Sequence, residues 1–80
     1  MEHRQIRYFV AVVDCGSVSA AAARVHVTQP ALSRQLQQLE RELEVTLFDR
    51  SRGRLTLSRT GRELLPKARA VLAATDAVLA

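Results

Sequence analysis

The first 25 residues carry two runs of apolar side chains at helical spacing. From Arg4 to Cys15 these side chains form one stripe, which predicts a largely buried helix that ends at Gly16. Ser17 is a favourable N-cap for a second, alanine-rich helix from about Val18 to Val25. Its small inner side chains would allow another helix to approach closely.

A third helix is predicted from Gln29 to Leu43, after the short turn formed by residues 26–28. Thr28 is a suitable N-cap, and Pro30 falls in the first turn, where a missing N–H is harmless. One face holds four leucines and is predicted to be buried: Leu32, Leu36, Leu39 and Leu43. The opposite face is polar and lacks carboxylates: Pro30, Ser33, Arg34, Gln37 and Arg41.

Beyond Val45 the pattern changes to two short extended pieces, 46–50 and 54–57, with Gly53 available for a positive φ between them. These pieces predict a small β-hairpin with a basic tip. Ser58 then caps a last helix that continues to the chain end, and Pro66 inside it should kink the helix or loosen its first turns. The elements together predict a mainly α-helical fold. Three helices and a two-stranded wing form a winged helix-turn-helix over residues 1–58, and a long helix follows over 59–80.

The last helix carries an apolar stripe that is too long for the rest of the chain to cover. We predict that it pairs with the same helix of a second copy through Leu64, Leu65, Ala68, Leu72, Thr75 and Leu79. These side chains also have an alternative, which is to pack on the first helix of their own chain. Both contacts are expected, with Leu72 and Leu79 in the dimer.

Composition limits the class of protein. Eighty residues, of which 48% are hydrophobic, make one small domain. The single cysteine, Cys15, allows no internal disulfide and is predicted to be a small buried hydrophobe. The apolar runs are too short to span a membrane, and no signal peptide is recognisable, so a cytoplasmic location is expected. His3 and His26 have no acid at ligand spacing, so no metal or cofactor is predicted.

The charge pattern points to a polyanion. The net charge is +4, and eleven of the twelve basic residues are arginine. Five arginines and no acid lie between Arg50 and Arg62. A basic block of this kind favours nucleic acid, although a loop made basic for solubility would look the same.

Two short helices joined by a three-residue turn, the second with an amide- and arginine-rich outer face, are typical of a DNA-reading helix-turn-helix. Arg34 suits guanine O6 and N7, and Gln29 suits adenine N6 and N7. Ser33 and Thr28 are candidates for phosphate or base contacts, and Pro30 and Ala31 for a thymine methyl. Gln37 lies deeper along the helix, where a backbone contact and no contact are equally expected. The wing arginines Arg50, Arg52 and Arg54 are candidates for the neighbouring minor groove or the DNA backbone.

Several runs of residues resemble the N-terminal domain of LysR-type transcriptional regulators. They are Arg7–Val12, Gly16–Ala22, Val27–Leu36, Leu47–Arg50 and Leu57–Gly61, with Leu39, Glu40 and Leu43 between them. The resemblance covers nearly the whole chain, and the run from Gln29 to Arg34 is its most specific part. Arg59 departs from the pattern, since family members often carry proline there.

The resemblance implies a bacterial regulator that binds interrupted palindromes in promoters as a dimer. The matching DNA contacts are Gln29, Pro30, Ala31, Ser33 and Arg34, and which wing arginine touches DNA stays open. It also implies a linker helix for dimerisation over 59–80, a tetramer in the full-length protein, and a small-molecule effector bound by a C-terminal domain that this chain lacks.

Two other classes of binding protein are alternatives. A helical oligomerisation module would not need the acid-free outer face of the third helix. An RNA-binding module would need an aromatic platform, whereas the three aromatic residues all fall at apolar positions: Tyr8, Phe9 and Phe48. No serine has a paired base and an orienting acid, so an enzyme is not expected.

Overall fold

The computed structural model describes residues 1–51 and 55–79 and contains four helices and one small sheet in that part of the chain. The elements are α1 (His3–Cys15), α2 (Val18–Arg24), α3 (Gln29–Leu43), β1 (Phe48–Asp49), β2 (Thr56–Leu57) and α4 (Arg59–Leu79). The strands are antiparallel, with Phe48 opposite Leu57 and Asp49 opposite Thr56. The predicted helices are confirmed, each end lying within one residue of its expected position. The strands are shorter than the predicted extended pieces.

The junction between α1 and α2 follows from two local signals. Gly16 adopts the left-handed conformation with φ of 78°, and its N–H donates to the carbonyl of Val12 at 2.9 Å. This geometry ends a helix and favours glycine. The hydroxyl of Ser17 then accepts from the N–H of Ala20 at 3.1 Å and starts α2.

The core lies where α1, α2 and α3 meet. Phe9, Leu32 and Leu36 have no exposed surface, and neither does Leu47, which precedes β1. The rings of Phe9 and Phe48 are tilted, with centroids 5.5 Å apart, so α1 also packs on the hairpin. The leucine face predicted for α3 is therefore confirmed as core. Cys15 packs against the core but is only half-buried, less deeply than predicted, and Arg24 donates to its sulfur at 3.7 Å.

Helix α4 lies across α1 and is continuous through Pro66. A proline removes one helical N–H and leaves the carbonyl four residues earlier without a partner. That carbonyl belongs to Arg62, which is an exposed residue like Pro66 itself, so water can replace the missing donor. Within residues 1–51 and 55–79, no helix has the length and apolar character needed to cross a bilayer.

Polar contacts fix α4 against α1. Both guanidinium nitrogens of Arg69 donate to the carboxylate of Asp14, at 2.7 and 3.3 Å. A ring nitrogen of His3 shares a hydrogen bond of 3.0 Å with the hydroxyl of Thr75. Hydrogen bonding from Arg69 holds the pKa of Asp14 below its ordinary value of 3.8.

We expect this ion pair to give stability a definite dependence on pH. The pKa of Asp14 is lower in the folded chain than in the unfolded chain. Its contribution is therefore present above the unfolded value and is lost as the pH falls through the folded value. In urea unfolding between about pH 5 and pH 2, the wild type should lose more free energy of unfolding than Asp14→Asn. The difference should be small because both side chains are exposed.

Arg69→Ala provides the partner test for the same ion pair. It removes the donor that lowers the pKa of Asp14. The free energy of unfolding should therefore fall less between about pH 5 and pH 2 than in the wild type, as it should in Asp14→Asn. If both variants lose as much free energy of unfolding over this range as the wild type, this account of the pair is contradicted.

Candidate nucleic-acid interface

The turn between α2 and α3 sets the direction in which α3 begins. The N–H groups of Val25 and Val27 donate to the carbonyls of Ala21 and Ala22, both at 3.0 Å, and His26 takes a positive φ of 61°. At the start of α3, the hydroxyl of Thr28 accepts from the N–H of Ala31 at 3.2 Å. This cap uses only one acceptor of an exposed hydroxyl, so its O–H remains available as a donor.

The outer face of α3 is open to solvent, as predicted. Gln29, Arg34 and Gln37 are exposed, and Ser33 between them is half-buried. The amide of Gln29 donates to the hydroxyl of Ser33 at 3.4 Å, one helical turn away. The first turn of α3 contains no acid. The structure thus brings an amide, a hydroxyl and a guanidinium together beside the electropositive N-terminal end of the helix.

Two of the predicted site residues differ from the others in exposure. Pro30 is exposed in the first turn, whereas Ala31 is half-buried and turns partly towards the domain. A methyl group in that position has limited free surface for an apolar contact. The prediction for Ala31 therefore has less support from geometry than those for Gln29 and Arg34.

The hairpin of residues 46–57, here called the wing, leads from the end of α3 to the start of α4. Arg50 directly follows β1 and is exposed. The carboxylate of Asp49 accepts from the N–H of Ser51 at 2.8 Å, and hydrogen bonding from Ser51 keeps the pKa of Asp49 below its ordinary value. Arg52 and Arg54 lie outside the described residues.

Two polar side chains for which no structural role was predicted hold α3 in place, although Glu40 belongs to the family resemblance. Gln5 has no exposed surface; its amide donates to the side-chain oxygen of Gln35 on α3 at 3.3 Å, and its own oxygen accepts from the N–H of Glu2. Glu40, near the end of α3, accepts from the N–H of Leu47 at 2.7 Å. The spacing of Glu2 and Gln5 is that of a capping box, which was a readable signal for Gln5. Glu40 carries no such local signal.

The face of α4 predicted for dimerisation packs mainly on its own chain. Ala68 is buried, Leu64, Leu65 and Leu72 lie against the core, and Thr75 bonds to His3. The apolar surface that stays open is at the end of the helix, where Val78 is 83% and Leu79 is 77% exposed. The dimer contact stays a prediction, and Leu79 is its most accessible member.

Three helices with a two-stranded hairpin, and an exposed polar face on the helix after the turn, define the winged helix-turn-helix class. Residues 3–62 match the model of the bacterial regulatory helix-turn-helix protein, LysR family. The chain therefore belongs to the LysR family, and the resemblance noted in the sequence is confirmed.

Curated relatives and solved structures agree with this assignment. The chain is 45% identical over 76 residues to the HTH-type transcriptional regulator ClcR of Pseudomonas putida, covering 95% of this chain and 26% of ClcR. It thus spans about a quarter of the length of that relative. The crystal structure of the BenM_DBD/catB site 1 DNA complex superimposes with a TM-score of 0.93 at 38% identity, covering 99% of this chain and 85% of that chain. The CbnR_DBD–DNA complex gives 0.90 at 42% identity, covering 98% and 90%.

Proposed function

We propose that this chain binds double-stranded DNA in a sequence-specific manner, with the first half of α3 in the major groove. The observation that carries the proposal is the exposed, acid-free outer face of α3 opposite a leucine face of which Leu32, Leu36 and Leu39 are buried. Because the leucine face of α3 is packed in the core, the helix presents its polar side chains on a rigid surface. The major groove accepts one α-helix and displays a distinct donor and acceptor pattern for each base pair.

Each side chain at this surface suits a contact of a particular kind. Arg34 has a planar fork of donors that matches the two acceptors of guanine. Gln29 has an amide that suits adenine, and its bond to Ser33 orients it along the helix. The free O–H of Thr28 can donate to a phosphate at the electropositive start of α3. Pro30, Ala31 and Gln37 complete the proposed contact surface.

The wing is proposed to contact the DNA backbone or the adjacent minor groove. Arg50 is exposed where β1 ends, and Arg52 and Arg54 belong to the same basic block of the sequence. Arginine contacts to phosphates fix the orientation of a protein on the duplex without reading its sequence. The wing would thus add affinity, whereas α3 would supply the discrimination.

Relatives support this assignment and extend it to the intact protein. BenM_DBD and CbnR_DBD were both crystallised with DNA, and ClcR is a transcriptional regulator. We infer a bacterial transcription regulator that acts in the cytoplasm, binds an interrupted palindrome in a promoter and has no catalytic role. Residues 1–58 would form the DNA-binding unit and 59–80 the linker helix. An effector-binding domain and a tetramer are proposed for the full-length protein.

DNA binding can be tested without knowing the operator. A pool of duplexes with a randomised centre would be selected on the chain, and the selected duplex would be compared with its scrambled form by fluorescence anisotropy over a salt series. We expect tighter binding to the selected duplex and a steep decrease of both affinities with salt, since phosphate contacts release counterions. Equal binding to both duplexes would contradict sequence-specific recognition.

Pairing of two copies through α4 is the second part of the proposal. A cleft of about 230 Å³ lies between α1 and α4 and is lined by Ile6, Leu64 and Val71. Beyond it, Val78 and Leu79 are left open. A second α4 is the simplest partner for this surface, because a two-fold contact covers the same patch on both chains.

We expect the chain to have the mass of a dimer at tens of micromolar in analytical ultracentrifugation. Leu79→Asp should shift it towards the monomer, because a carboxylate would be buried in an apolar contact. Ala77→Asp is the matched control, since it adds the same charge on the opposite side of the same helix, about 160° away at 100° per residue. A monomeric mass for the wild type would overturn dimerisation and leave DNA binding by α3 standing.

A further inference from the structure

Glu40 joins α3 to the base of the wing. One of its carboxylate oxygens accepts from the N–H of Leu47 at 2.7 Å and from the N–H of Phe48 at 3.4 Å. Hydrogen bonds from backbone N–H groups to a carboxylate are stronger than those to neutral acceptors. Glu40 is also half-buried, which limits competition from water. The carboxylate therefore fixes the backbone position of Leu47 and Phe48 at the start of β1.

Ser58 holds the same segment from the opposite side. Its N–H donates to the carbonyl of Leu47 at 2.9 Å, and its hydroxyl donates to the carbonyl of Thr46. The N–H groups of this segment are thus bonded to α3, and its carbonyls are bonded to the start of α4. Leu47, between these contacts, has no exposed surface. The side chain of Glu40 on α3 and Ser58, the residue before α4, thus hold the base of the wing, and they are here called the clamp.

The wing needs such a clamp because its own sheet is minimal. Each strand has two residues, and the register consists of two residue pairs. A two-stranded hairpin is marginally stable at best when isolated in water. Its orientation relative to α3 must therefore come from contacts with the helices. Arg50 emerges two residues after Phe48, so the position of its guanidinium depends on the same clamp.

We propose that Glu40 is a positioning residue for DNA binding, which sets the wing relative to α3 so that Arg50 reaches a phosphate while Arg34 is in the groove. Glu40 itself does not contact DNA in this arrangement. The inference rests on the proposed function, since it assigns a role within DNA binding. It also gives a physical reason for an acid at this position of a basic domain, because its charge faces backbone donors of the wing.

The clamp is tested first in the free protein by amide hydrogen exchange. In Glu40→Ala, exchange of the Leu47 N–H should become faster by roughly tenfold or more, as expected for the loss of a bond to a charged acceptor. Glu40→Gln keeps a neutral acceptor and should show a smaller increase. Glu42→Ala is the matched control, because it removes one negative charge from the same helix without touching the wing, and it should leave Leu47 unchanged.

The role in DNA binding is tested by the salt series on the selected duplex. Arg50→Ala should lower the slope of log affinity against log salt by about one per subunit, the value for one lost phosphate contact, and so by about two for a dimer on the duplex. Glu40→Ala should lower it by a similar amount while retaining the preference for the selected duplex. The double variant should lose no more than either single variant, because both act on the same contact.

The outcomes separate this inference from the proposed function. A wild-type slope in Glu40→Ala, or additive losses in the double variant, would overturn the role of Glu40 and leave DNA binding intact. Absence of salt-dependent duplex binding by the unaltered chain would overturn both. If Glu40→Ala does not fold, the same two measurements on Glu40→Gln test the role of Glu40. Faster exchange at Leu47 with a lower slope supports the role, and wild-type values for both overturn it.

Discussion

Gly61→Ala should destabilise the protein by about 3 kcal/mol, at the upper end of the range for overpacking a rigid site. Gly61 is buried in the first turns of α4, where the helix passes directly over the strand segment that precedes β1. A methyl group there would overlap the carbonyl oxygen of Leu47 and lie 2.8 Å from Cδ2 of Leu57. The carbonyl belongs to the clamped backbone at the base of the wing, so it has little freedom to move.

The direction of the change in stability distinguishes a close contact at Gly61 from open space. Within an unobstructed helix, alanine in place of glycine stabilises by about 1 kcal/mol. Gly16→Ala is the matched control, because a methyl group at Gly16 would meet no atom within 4 Å. Only its φ of 78° opposes the change, so a loss of about 1 kcal/mol is expected there. Urea unfolding with both variants measures the two losses, and an unchanged or higher midpoint for Gly61→Ala would contradict the close approach.

Arg34→Ala should reduce the preference for the selected duplex by about 1–3 kcal/mol, which is roughly fivefold to more than a hundredfold in the affinity ratio. Arg34 is exposed on the outer face of α3, in the second turn of the helix and beside Ser33. A bidentate contact to guanine is lost completely when the guanidinium is removed. Affinity for the scrambled duplex should fall much less, through the loss of one positive charge.

Two further variants separate discrimination from charge. Arg34→Lys keeps the charge but lacks the planar fork, so it should retain the salt dependence and lose most of the preference. Arg4→Ala removes the same charge from α1, where the side chain is 57% exposed and pairs with Glu2 at 3.2 Å, and it should keep the preference. An undiminished preference in Arg34→Ala would remove Arg34 from the proposed reading surface.

The sequence predicted the helices because their signals are local. The leucines of α3 recur at one spacing, and Ser17, Thr28 and Gly16 mark helix ends by their own chemistry. Exposure of Arg34 and Gln37 followed from the same periodicity, as the face opposite the buried leucines. These features depend only on residues a few positions apart.

Contacts between distant residues were not predictable in this way. The bonds from Leu47 and Phe48 to Glu40 depend on the path of the chain after α3, and periodicity places Glu40 only on the flank of the helix. The close approach at Gly61 depends on how α4 crosses that same segment. The apolar stripe of α4 was recognised, but one stripe can cover its own chain or a partner. Periodicity alone does not say which residues of the stripe pack on their own chain and which contact a partner.

The clamp at the base of the wing also bears on how the protein tolerates change. Side chains of Glu40 and Ser58 anchor residues 46–48. Substitutions between Arg50 and Leu55 leave the chemical groups of both anchors in place, so we expect the helices and their junction to tolerate them. The charge that the proposed wing contact offers to the duplex backbone would then change while the reading helix stays the same.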